Sequence, residues 1–133
     1  ADAAGIEPIY IAPAKASETT LEAVAANSRG YIYAISRDGV TGADKEATVE
    51  GLREVVDNVR KFGGPPVLLG FGISKPEHVR DAIAAGAAGA ITGSAITNII
   101  AKHLDGNRVA DMGALKAELT QYVAAMKGAT IAS

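Results

Sequence analysis

The sequence predicts an α/β fold in which parallel strands alternate with helices, and two observations carry that prediction. Short apolar runs alternate with segments of helical periodicity, in four β-then-α units along the chain. Two of those runs end in small residues, Gly70-Phe71-Gly72-Ile73-Ser74 and Ile91-Thr92-Gly93-Ser94, and lead straight into a helical pattern. Repeated β-then-α units imply parallel strands joined by right-handed crossovers. Four parallel strands do not close a barrel, which needs eight. Two architectures therefore stand: an open, doubly wound sheet, or a sheet completed by strands from elsewhere.

The elements follow in order. Pro8-Ile9-Tyr10-Ile11-Ala12 reads as the first strand, and a helix from Ser17 to Ala26 follows, capped by Ser17 or Thr19. Gly30 to Ser36 is the second strand, on which Tyr31 and Tyr33 alternate with Ile32 and point the same way. A polar loop, Arg37 to Asp44, leads to a helix from about Ala47 to Phe62, where Leu52, Val55, Val56 and Val59 hold helical spacing. Pro66-Val67-Leu68-Leu69 is short and wholly apolar, as a buried parallel strand is. Ser74-Lys75-Pro76-Glu77 reads as a capping box with proline in the first turn, opening a helix that runs to Ala85 and stops at Gly86. Ala88 to Thr92 is the fourth strand. Helical patterns follow at Ser94 to His103 and Met112 to Met126, with Asp105-Gly106-Asn107 as the break between them.

Composition excludes several classes. A net charge of -2 leaves no electrostatic footprint for nucleic acid, and no run of Lys or Arg suggests a membrane surface. The apolar stretches are short and broken by glycine, so none reads as a membrane span. With Cys at 0, disulfides and thiolate metal sites are excluded, which fits a cytoplasmic protein. The first residues carry neither the basic region nor the apolar core of a signal peptide, and the chain lacks an initiator Met, so it reads as processed or cut from something longer.

The two glycine turns carry the chemistry. A strand that ends in glycine and opens a helix places bare N–H groups and a helix N-terminus at one point, an arrangement that binds phosphate. Gly72 and Gly93 let the backbone approach an anion with no Cβ in the way, and Ser94 adds a hydroxyl at the next helix's cap or first turn. Glycine that merely ends strands, and serine that merely caps, would explain one such turn; two in succession favour a phosphate grip. The loop from Ser36 to Asp44, with Gly39, Thr41 and Gly42, is longer than most αβ connections and suits either a lid or an ordinary polar connection. Tyr31 and Tyr33 suit a core face or a ligand surface, while Phe71, between two glycines, is better placed to touch a ligand. His78 reads as solvated, and His103 lies at a helix C-terminus, where a cation is favoured. Arg37-Asp38 and Asp44-Lys45-Glu46 read as solvated charges. No acid/base carboxylate pair, no nucleophile with a base beside it and no metal-ligand spacing stands out.

These residues resemble the α subunit of tryptophan synthase. The likeness rests on Pro8 to Pro13, Gly30 to Tyr33, Ser36-Arg37-Asp38-Gly39-Val40-Thr41-Gly42, Gly70 to Ser74 and Gly86 to Ile96. It covers essentially the whole chain, is specific in order and spacing, and looks most like the actinobacterial branch. The resemblance implies strands five to eight of a (β/α)8 TIM barrel, so that residues 1–133 are half of one barrel domain, four β/α units plus a C-terminal helix. It implies a lyase of tryptophan biosynthesis that cleaves indole-3-glycerol phosphate to indole and glyceraldehyde 3-phosphate. The family's general acid/base Glu and indole-orienting Asp lie after early strands, outside this chain, so the isolated chain is expected to be inactive. Gly42, Gly72, Gly93 and Ser94 match phosphate-binding positions; Ile11, Tyr33, Phe71 and Ile91 match the substrate pocket; Thr41 matches the lid threonine. The implied partners are the tryptophan synthase β subunit, which holds pyridoxal phosphate, and a missing N-terminal half-barrel or a second copy of this chain. No cofactor or metal is expected in this chain itself. The alternative readings are a non-catalytic phosphate-binding half-barrel that self-associates, or an unrelated phosphate-binding barrel piece or flavodoxin-like domain.

Overall fold

The computed structural model describes residues 2–13, 15–35 and 51–131. Four parallel strands, β1 (Ile11–Ala12), β2 (Ile32–Ile35), β3 (Val67–Gly70) and β4 (Gly89–Ala90), form one sheet in the order β1-β2-β3-β4. The helices are α1 (Glu18–Asn27), α2 (Leu52–Lys61), α3 (Pro76–Ala84), α4 (Ser94–Lys102) and α5 (Met112–Gly128). A short antiparallel hairpin, β5 (Leu104–Asp105) with β6 (Arg108–Val109), joins α4 to α5. The break expected at Asp105-Gly106-Asn107 is therefore a hairpin loop. Gly106, at φ 62, takes the first loop position, where a type II′ turn places its glycine.

The strand order decides between the two architectures. Doubly wound sheets reverse their strand order at a switch point, and here the order never reverses. Right-handed crossovers in an unreversed sheet stack the helices on one face. The registers agree. Ala34 pairs with Ala12 and with Leu69, and these residues, with Ile32 and Val67, are buried. They meet the apolar faces of the helices: Leu21, Val24 and Ala25 of α1, Leu52, Val55, Val56 and Val59 of α2, and Val79 and Ala82 of α3. Burying each larger side chain of this kind contributes about 1.5–3 kcal/mol.

The opposite face of the sheet is open. Ile11 pairs with Tyr33, and Tyr33 with Leu68; Ile11 is 58% exposed and Tyr33, Ile35 and Leu68 are half-buried. Parallel sheets are ordinarily covered on both faces. A one-sided, unreversed parallel sheet has the geometry of part of a barrel wall, with Ile11 and Tyr33 on its inner side.

The helix starts obey local rules. Ser17 caps α1, its hydroxyl accepting from the Thr20 amide at 3.2 Å. Asp111 caps α5 in the same way, accepting from Ala114 N at 3.1 Å. The box expected at Ser74 to Glu77 is displaced by one residue. Pro76 is the first helical residue, where its missing N–H and fixed φ are best tolerated, so the cap is Lys75 and the third helical position belongs to His78 rather than Glu77.

Candidate functional site

Both glycine turns lie at the C-terminal ends of β3 and β4, which are neighbours in the sheet. Ile91 N–H donates to Leu69 O at 2.8 Å, extending the strand pairing past β4. Beyond it the chain bends sharply. Phe71 and Gly72 both adopt φ 74. For glycine this is free; for Phe71 a left-handed backbone costs of order 1–3 kcal/mol, strain of the kind found at ligand sites. Gly93, at φ −133 and ψ −66, is the cap of α4, and Ser94 is its exposed first residue.

The two turns are joined through side chains. Thr92 Oγ1 donates to Ile73 O at 2.9 Å, which sets Gly72 and Gly93 each one residue from the same bond. Tyr122 of α5 donates through Oη to Ser74 O at 3.1 Å and also lies 3.1 Å from Thr92 Oγ1. His78 is buried, not solvated as its charged neighbours suggested; its Nδ1 accepts from the amides of Ser74 at 3.1 Å and Lys75 at 3.3 Å. Thr92, Tyr122 and His78 are the residues of this region that sequence reasoning missed. Only His78 left a local signal, its position three residues after the cap that Pro76 dictates.

These bonds make the two helix starts unequal. The Ser74 and Lys75 amides, just ahead of the first residue of α3, are turned onto the His78 ring. The start of α4 has no side-chain cap, and glycine supplies none. The first N–H groups of a helix have no intrahelical partner, and the helix dipole places partial positive charge there. The start of α4, at Gly93 and Ser94, is therefore where an anion could be received, with the Phe71-Gly72 turn alongside.

The candidate pocket residues converge on the same end. Ile11 and Tyr33 are register partners on the open face. A Cβ built on Gly70 would lie 2.7 Å from Tyr33 Cε1 and closer still to Cζ and Oη, so the Tyr33 ring lies across the end of β3, next to Phe71. Ile91, one alternation beyond Gly89, faces the same side. Thr41 and Gly42, with the whole loop from Ser36 to Asp44, lie outside the described residues, as does the start of the helix expected from Ala47. The groups gathered at the turns are backbone amides, hydroxyls and one imidazole. They can hold an anion, but no pair among them is placed to move protons to and from a substrate. Among the described residues no cluster of three or more His, Asp or Glu side chains could hold a metal ion, and no helix is long and apolar enough to cross a membrane.

Residues 1–128 match the family model described as tryptophan synthase alpha chain. The chain belongs to the tryptophan synthase alpha chain family. Among its relatives, the tryptophan synthase alpha chain of Corynebacterium efficiens is 64% identical over 135 residues, a match that covers 98% of this chain and 48% of the relative. That of Vibrio cholerae is 49% identical, with 95% of this chain and 45% of the relative covered. A structure of the tryptophan synthase α2β2 complex from Pyrococcus furiosus superposes with a TM-score of 0.72 at 25% identity, covering 96% of this chain and 48% of that one. The chain thus spans about half the length of the tryptophan synthase alpha chains it matches, in keeping with its one-sided sheet.

At the far end of α4, a tether outside the turns carries a pH dependence. Lys102 and His103 both bind Glu118 of α5, the latter at 2.5 Å from Nε2 to Oε2. The Lys102 hydrogen bond first, and the His103 bond second, hold the Glu118 carboxyl below its ordinary range. A carboxyl depressed in the fold contributes stability that is present above its unfolded value and lost as pH falls through its folded one. Thermal unfolding of Glu118→Gln should therefore sit slightly below wild type at neutral pH, and the two curves should converge as the medium is acidified through the carboxylate range. The gap stays small because Glu118 is a third exposed.

Proposed function

We propose that this chain is the C-terminal half of a tryptophan synthase α barrel, with β1 to β4 corresponding to strands five to eight, and that it supplies the phosphate site and part of the pocket for indole-3-glycerol phosphate. The observation that carries the reading is the pair of glycine turns on neighbouring strand ends, with the start of α4 left uncapped at Gly93. Active sites and phosphate sites of barrels lie at this C-terminal face. In this reading Gly72, Gly93 and Ser94, with Gly42, receive the phosphate; Ile11, Tyr33, Phe71 and Ile91 line the pocket; Thr41 belongs to the lid. The whole protein would cleave indole-3-glycerol phosphate to indole and glyceraldehyde 3-phosphate, in the cytoplasm, as a lyase of tryptophan biosynthesis.

The partners follow from the open face. A half-barrel of four further strands would cover Ile11, Tyr33 and Leu68 and bring the acid/base Glu and the orienting Asp. A second copy of this chain is the other occupant, which the mass in solution separates. The assembled barrel would meet the tryptophan synthase β subunit, on which the pyridoxal phosphate sits; this chain takes no cofactor of its own.

The test has two arms. The purified 133-residue chain should release no indole from indole-3-glycerol phosphate, because general acid–base catalysis alone contributes about 10²–10⁴ in rate and its carboxylates are elsewhere. The same chain should still bind glycerol 3-phosphate, with amide shifts at Gly72, Gly93 and Ser94. Indole release at the rate of a whole α chain would overturn the division of labour; shifts confined to other residues would overturn the site.

A further inference from the structure

We propose that Tyr122 is a positioning residue for the phosphate site: its hydroxyl, acting with that of Thr92, fixes the spacing between the two glycine turns and thereby sets affinity for a phosphate monoester. The proposal rests on the reading of those turns as a phosphate site. Strand pairing between β3 and β4 carries the backbone only as far as the Ile91-to-Leu69 bond. Past that point no backbone-to-backbone hydrogen bond joins the turns among the described residues, and each has glycine in it and so is free to flex. Three oxygen–oxygen contacts span them: Thr92 Oγ1 to Ile73 O at 2.9 Å, Tyr122 Oη to Ser74 O at 3.1 Å, and Thr92 Oγ1 to Tyr122 Oη at 3.1 Å.

The proton count makes the two hydroxyls one unit. Each hydroxyl brings one proton. If Thr92 gives its own to Ile73 O and Tyr122 gives its own to Ser74 O, both carbonyls are satisfied and the hydroxyl oxygens abut. If either proton moves into the Thr92–Tyr122 contact, one carbonyl loses its donor. Removing one hydroxyl therefore changes what the other can do.

The clamp is reached from far along the chain. Tyr122 stands 48 residues from Ser74 and 30 from Thr92. Its ring packs against the main core, beside buried Met126 on α5. The seat of α5 is in this way transmitted to the turns. The same carbonyl-side clamp leaves the Ser74 amide to His78, so the segment from Ile73 to Lys75 is held from both sides. Tyr122 acts on a ligand at Gly72, Gly93 and Ser94 through the turns, since its hydroxyl is engaged by Ser74 O and Thr92 Oγ1. The ligand would meet turns whose spacing the two hydroxyls already hold, which reduces the ordering that binding would otherwise have to supply.

Titrating the full chain with glycerol 3-phosphate, read by amide shifts at Gly72, Gly93 and Ser94, tests this. Tyr122→Phe keeps the packed ring and removes only the hydroxyl. We expect it to weaken binding about 3- to 10-fold, the worth of roughly one hydrogen bond. Thr92→Val, which keeps the size of the side chain and removes its hydroxyl, should do the same, and the double variant should lose less than the product of the two single losses. Equal affinity in wild type and both single variants, with only the melting temperature lowered, would make Tyr122 a structural brace and overturn the proposal while leaving the phosphate site standing. No binding by the wild type would overturn both.

Discussion

A Gly93→Leu variant should bind glycerol 3-phosphate about 10- to 100-fold more weakly than wild type while its fold is unchanged. The separation of the two effects comes from the geometry. A Cβ at Gly93 would meet no heavy atom within 4 Å, so the protein itself makes room for a side chain there. Substitutions at open sites of this kind usually change stability by less than about 0.5 kcal/mol. The space a leucine would fill is the approach to the uncapped start of α4, where Gly93 is the cap. Excluding an anion from amides at a helix start forfeits charge-assisted hydrogen bonds worth about 1.5–3 kcal/mol, which is the stated range in affinity. The measurement is a pair: a ligand titration and a thermal melt of the same variant. Unchanged affinity would remove Gly93 from the phosphate site; a melt that falls together with affinity would point to a distorted loop.

Most of the fold was legible because its signals are local. Leu52, Val55, Val56 and Val59 fall on one helical face and are all buried, and Ser17 caps the helix its position suggested. The glycine turns were legible for the same reason, since a strand end, a glycine and a helix start are contiguous in sequence. What was not legible depends on contacts between distant segments. The strand order, which excludes the doubly wound sheet, is a property of pairing and not of any one strand. Tyr122 carries no local signal in the sequence; its hydroxyl finds Ser74 and Thr92 only once α5 is docked. His78 was misread because charged neighbours on a helix say nothing about which face is turned inward. Proline was the better guide there: Pro76 at the first helical position fixes the cap at Lys75 and puts an imidazole where a capping box would put glutamate. The lid reading of Thr41 and Gly42 falls outside the described residues; it rests on the length and glycines of the loop and on the family likeness.

Gly70→Ala should be among the most damaging single-methyl additions at the sheet end, lowering stability by about 1–3 kcal/mol, the usual range for overpacking. Gly70 is buried at the last position of β3, and the Tyr33 ring occupies the space a Cβ would need. Backbone conformation is not the obstacle, because the residue lies in a strand and its φ is not left-handed. The clash is with the Tyr33 ring and not with backbone, so it is relieved only by the ring leaving its place, and the cost is the lost packing of that ring and the pocket wall it forms beside Ile11 and Phe71. That yields a test which a general destabilisation would fail. Tyr33→Ala alone should weaken the sheet end by removing the ring, but in the Tyr33→Ala background the Gly70→Ala change should become nearly neutral, since nothing is left to collide with. A coupling of about 1 kcal/mol or more between the two positions, measured by denaturant unfolding of the four proteins, is the expected result. Strict additivity would mean that Gly70 is required by some other contact, and that the Tyr33 ring does not lie over the end of β3 in solution.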